Sequence, residues 1–92
     1  MKDLNELRNE IDLIDEEIIK LFEKRLDIVQ GVINYKIENN IPILDSSREN
    51  LMLEKNLKKI KNEKYKKYYN DVLKGYLKAS KDLQKDILEN KK

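Results

Sequence analysis

Nine apolar residues, Leu4, Leu7, Ile11, Ile14, Ile18, Leu21, Ile28, Val32 and Tyr35, recur at alternating steps of three and four, with one position skipped. That spacing is a heptad seam, and it predicts one continuous helix from about residue 4 to residue 38. The stretch "NNIP" ends it, because Pro42 disfavours helical geometry in the residue before it. At 1.5 Å per residue such a helix is roughly 50 Å long, whereas a compact globule of this chain length is only about 30 Å across. Two shorter helices of the same chain cannot cover the seam along its whole length. A second copy is the natural cover, so a homodimer built on the long helices is expected.

The remaining chain fits two more helices. One begins near Ser46 or Ser47 and carries Leu51, Met52, Leu53, Leu57 and Ile60. The polar stretch "KIKNEK", residues 59–64, is expected to hold the next turn. A third helix places Tyr65, Tyr69, Val72, Tyr76, Leu83 and Ile87 on one face, with Ser80 filling the position that continues their spacing. The tail "ENKK" is expected to fray. With two glycines and one proline in 92 residues, too few turn residues exist for a many-stranded sheet. The expectation is an all-α fold with three helices per protomer and a single domain, residues 1–92. Because 41% of the residues are charged and 39% hydrophobic, its core must be thin.

Absent residue types narrow the chemistry. The chain has no cysteine and no histidine, which removes disulfides, thiol nucleophiles, the usual zinc ligands and imidazole acid–base catalysis. No cofactor and no metal are expected. The formal charge is only +2, with acids and bases interleaved, so nucleic acid is not an expected partner. The start "MKDLNELRNE" is too polar for a signal peptide, and no apolar run approaches membrane-spanning length. A cytoplasmic protein is the default expectation.

Polar residues that interrupt the apolar faces are the candidates for function. Of the 20 basic residues only Arg8, Arg25 and Arg48 are arginine. In a lysine-rich chain, a retained arginine either sits by chance on a solvated face or serves where a planar, bidentate guanidinium is needed. Arg25 occupies the skipped seam position, where a buried guanidinium has to meet an anion. Lys36 follows eleven residues later, on nearly the same face and roughly 16 Å along the axis. Arg8 lies about 25 Å from Arg25 along the helix and rotated by roughly 100°, so it can join the same site only from a partner's helix. Ser80 and Gln84, four apart, are neighbours on the third helix. They are either packing and flank residues or, together with Arg25, part of a polar pocket inside a bundle. Several cations without a glycine-rich loop favour a ligand with more than one carboxylate over a phosphate. Catalysis in such a pocket would rest on positioning and preorganised charge. Asp45 and Glu49, also four apart, could act as acids and bases or grip a hydroxyl.

These residues in this order resemble the AroQ-type (type II) chorismate mutases. The resemblance runs from "LRNEIDLIDEEIIKLFEKRLDIVQGVINYK" through "ILDSSRE" to "ASKDLQ". Its specific part is the set L-R-x-x-I-D-x-x-D, then E-K-R, a lysine eleven residues after that arginine, and D-x-x-R-E. The resemblance implies a three-helix protomer and an intertwined dimer whose two sites each take residues from both subunits. It implies conversion of chorismate to prephenate, in the branch leading to phenylalanine and tyrosine. By position, Arg25 resembles the arginine that holds one substrate carboxylate, and Arg8 the arginine that the other subunit donates to the second. Lys36 and Gln84 resemble the two groups that meet the ether oxygen. Asp45 and Glu49 match positions that bind the ring hydroxyl, and Arg48 and Ser80 match supporting contacts near the carboxylates.

Two other readings remain open at this point. One is an isochorismate–pyruvate lyase on the same scaffold, which uses a similar cationic pocket. The other is a non-catalytic helical dimerisation or regulatory module, against which stands the retention of every polar position the pocket needs; a plain coiled-coil adaptor would leave arginine at seam position 25 without a reason. The segment "IPILDSSRE" divides accordingly. Pro42 closes the long helix, and Ile41, Ile43 and Leu44 are expected to anchor the crossover. Ser46 with Glu49 fits a capping box, with Ser47 as the alternative cap. Glu49 is therefore claimed both as cap and as ligand contact, and the ligand reading is preferred.

Overall fold

The computed structural model describes residues 2–43 and 46–91. Regular structure among them is all helical: α1 spans Leu4–Glu38, α2 spans Ser46–Leu57, and α3 spans Lys66–Lys91. A short 3-10 turn, Glu63–Tyr65, leads into α3. The turn expected within residues 59–64 therefore lies where it was placed. The tail expected to fray is drawn as helix as far as Lys91, the end of α3.

Helix α1 is bounded by local chemistry at both ends. Asp3 is its N-cap, and its carboxylate accepts from the Glu6 backbone N–H at 2.9 Å, satisfying one of the donors a helix start leaves open. At the other end Asn40 takes φ 56°, the left-handed geometry that asparagine tolerates better than most residues. The Asn40 N–H donates to Ile37 O and the Ile41 N–H to Lys36 O, which is the paired reversal of a Schellman ending. Asn40 thus turns the chain, and Pro42 prevents the helix from resuming.

The three helices do not form a globule. The radius of gyration is 16.7 Å and the extents are 56 × 26 × 15 Å, against about 12 Å for a compact chain of this length. Helix α3 packs against both α1 and α2, and these contacts gather around the C-terminal half of α1. Ile33 on α1 and Leu73 on α3 are the fully buried side chains among the described residues. Phe22, Leu26, Val29 and Ile37 are half-buried on the same side of α1 as Ile33.

All nine residues of the heptad seam remain 45–64% exposed in this single chain. Helix α1 therefore carries two apolar stripes. One, residues 22, 26, 29, 33 and 37, meets the chain's own helices. The other is the seam, which the chain leaves uncovered. The heptad pattern picks out the uncovered stripe because it runs the full length of α1, whereas the intrachain stripe exists only where α3 can reach. On α3, Tyr69, Tyr76, Ser80, Leu83 and Ile87 of the predicted face are buried or half-buried, but Val72 is 45% exposed and its neighbour Leu73 takes the inward position there. At the crossover Ile43 is half-buried as expected, but Ile41 is 41% exposed. The expectation for Leu44 lies outside the described residues.

Candidate active site

A cleft of about 200 Å³ opens between the three helices. Its polar lining is Arg25 and Lys36 from α1, Arg48 and Glu49 from α2, and Ser80, Lys81 and Gln84 from α3. Its floor and walls are apolar: Val29, Val32, Ile43, Met52 and Leu77. The helical repeat explains the gathering. Residues 25, 29, 32 and 36 stand above one another on α1, as do 77, 80, 81 and 84 on α3. Helix α2 presents 48, 49 and 52 across its first two turns.

Arg25 is half-buried and held by two groups of α3. Its Nη1 donates to Ser80 Oγ at 2.7 Å, and its guanidinium lies 5.6 Å from the centre of the Tyr76 ring, a cation–π distance. Tyr76 in turn stacks on Phe22, with 6.3 Å between ring centres. The seam position of Arg25 predicts an anionic partner, but no carboxylate pairs with it among the described residues. A hydroxyl, an aromatic face and partial solvent access take that place. Ser80 is therefore more than a small packing residue, since it is buried and orients the guanidinium.

Lys36 is tied to the crossover, donating from Nζ to Ile43 O at 3.1 Å. An ammonium has three donors, so this bond fixes the head while leaving capacity toward the cleft. Gln84 has a buried Oε1 with no hydrogen-bond partner among the described residues. An unpaired buried amide oxygen costs about 1–3 kcal/mol, and a carboxamide at a cleft wall can be completed by a ligand. Turning the amide over presents Nε2 instead, so Gln84 can offer a donor or an acceptor. Glu49 reaches from α2 toward α3. Its Oε2 lies 3.1 Å from Lys81 Nζ across the gap between α2 and α3.

Six of the eight residues singled out in the sequence thus line one cleft: Arg25, Lys36, Arg48, Glu49, Ser80 and Gln84. Arg8 does not. It is exposed on the part of α1 that α2 and α3 do not reach. Asp45 lies outside the described residues. Lys81 and Tyr76 were missed. Lysine is too common in this chain to mark a site, and Tyr76 read simply as part of an apolar face. Outside the cleft, Asp82 accepts from Lys78 Nζ at 2.9 Å, and that bond with the carboxylate charge holds the Lys78 ammonium above its usual range. Among the described residues no group of acids could hold a metal ion, and no helix is long and apolar enough to cross a membrane.

Comparison with known proteins supplies the context for this geometry. A T-protein from Haemophilus influenzae is 44% identical over 54 residues, covering 59% of this chain and 14% of that protein. A bifunctional chorismate mutase/prephenate dehydratase from Buchnera aphidicola of Schizaphis graminum is 45% identical over 53 residues, 58% of this chain and 14% of the relative. The enzyme of the same name from Aquifex aeolicus is 41% identical over 58 residues, 63% of this chain and 16% of the relative. The matched region is thus about one seventh of these longer proteins. The family model described as chorismate mutase type II matches residues 7–85, including every described cleft residue named above. By that match the chain belongs to the chorismate mutase type II family.

Proposed function

We propose that this chain is a chorismate mutase that converts chorismate to prephenate as an intertwined homodimer. The observation that carries the reading is one cleft in which a fixed arginine, a tethered lysine and an unpaired buried amide converge. A family match over nearly the whole chain supports it.

The reaction is a concerted shift in which a C–O bond breaks as a C–C bond forms, with no proton transfer and no covalent intermediate. It therefore needs neither histidine nor cysteine. The work left to the protein is to hold the side chain of the substrate over its ring and to stabilise charge gathering on the ether oxygen. Arg25, aimed by Ser80 and Tyr76, takes one carboxylate in a bidentate grip. Arg8 of the second copy takes the other, because no described residue of this chain brings Arg8 to its own cleft. Lys36 and the amide of Gln84 meet the ether oxygen from two sides. Glu49 accepts from the ring hydroxyl, with Asp45 on the same segment. Arg48 supports the carboxylate end.

The exposed seam supports the dimer. Nine large apolar residues in one row, interrupted only at Arg25, on a charged chain form the kind of surface that a monomer seldom leaves to water. Purified protein incubated separately with chorismate and with isochorismate tests the function. Prephenate from chorismate is the expected product. Pyruvate and salicylate from isochorismate, with chorismate untouched, would assign the lyase reaction instead. Inertness toward both would leave the non-catalytic module.

A further inference from the structure

Glu49 is the one carboxylate among the described residues that line the cleft, and it stands with four cationic side chains. A pocket for a dianion has a physical reason to exclude carboxylates. An unpaired Glu49 would repel each incoming carboxylate through a partly desolvated gap, where charges are less screened than in water. Lys81 answers that problem by position. It is the cation that pairs with Glu49, and it reaches from α3 to do so. Arg25 is engaged by Ser80 and Tyr76, and Lys36 by the Ile43 carbonyl. The pair is asymmetric, because the Glu49 side chain is 22% exposed and that of Lys81 is 48%. The carboxylate is the enclosed member, and the ammonium reaches it from the solvent side. The contact falls on Oε2, so the other oxygen of Glu49 remains able to accept from a ligand hydroxyl.

The geometry points to Lys81 as a positioning residue for Glu49: it neutralises and aims the cleft's carboxylate so that a dicarboxylate ligand is accepted beside it. This rests on the reading of the cleft as a chorismate site. Lys81 then acts on ligand binding rather than on the bond changes, and only through Glu49.

The test is steady-state kinetics on chorismate for the wild type, Lys81→Met, Lys81→Arg, Glu49→Gln and the double variant Lys81→Met/Glu49→Gln. Lys81→Met is expected to raise KM about fivefold while kcat stays within about twofold, the scale of a half-exposed ion pair. Lys81→Arg restores KM, since it keeps the charge. In the Glu49→Gln background the same Lys81→Met change moves KM by less than about 1.5-fold, because the pair is already gone. An equal KM penalty in both backgrounds would overturn the proposal, placing Lys81 in direct contact with the ligand or in the fold alone. So would an unchanged KM in the single variant. A wild type that does not turn over chorismate is a different failure, recognisable before any variant is made, and it removes the site reading together with this inference.

Discussion

Arg25 and Lys36 are each held by neighbours that have no charge to neutralise them, Ser80 and the Tyr76 ring for one and the Ile43 carbonyl for the other. Neutral partners orient a cation without spending its charge, and that is the preorganisation an anionic transition state requires. Lys36→Ala is therefore expected to lower kcat/KM by about 10²–10³, while circular dichroism and solution mass stay as in the wild type. Unchanged turnover would remove Lys36 from the reaction. At this scale the sequence was informative wherever a polar residue broke an apolar pattern, as at Arg25, Ser80 and Gln84. It was silent at Lys81, one lysine among seventeen, and at Tyr76, whose ring contact with Arg25 depends on the α1–α3 crossing. The cap at Asp3 was legible in principle, since Asp3 and Glu6 stand three apart before the apolar run.

Each helix is delimited by local rules and placed by non-local ones. The long reach of α1 and its end at Asn40 follow from heptad spacing, an αL-tolerant asparagine and a following proline. Asn40 is the sharpest probe of that ending. Asn40→Gly is expected to keep or slightly raise stability, because glycine adopts φ near 56° without strain. Asn40→Val is expected to cost about 1–2 kcal/mol in urea unfolding, because a β-branched residue resists the left-handed region. Equal stability of the two variants would contradict the assigned turn. Which stripe of each helix faces inward was less legible. Val72 and Leu73 are both apolar neighbours, and only the crossing of α3 over α1 buries the second and exposes the first. The same ambiguity hid the inner stripe of α1 behind the longer seam.

At the scale of the whole molecule, the elongated shape and the uncovered seam follow from a 35-residue helix joined to two partners of 12 and 26 residues. The seam's length made a long stripe that this chain's own helices leave uncovered legible before any packing was known. What the sequence could not give was how a second copy would cross it in the proposed dimer. If the seam is a dimer interface, Ile11→Glu combined with Ile14→Glu halves the mass in solution and abolishes turnover, although neither residue lines the cleft. A variant of full activity and unchanged mass would place the interface elsewhere. A cleft completed by Arg8 from a second copy is open to a direct test by subunit mixing. Arg8→Ala and Lys36→Ala proteins, each expected to be nearly inactive, are unfolded together at equal concentration, refolded and assayed on chorismate. A mixed dimer has one site with both defects and one with neither, so recovery to about a quarter of wild-type activity is predicted for random pairing. No recovery, with mixed dimers confirmed by mass, would contradict a site shared between two chains.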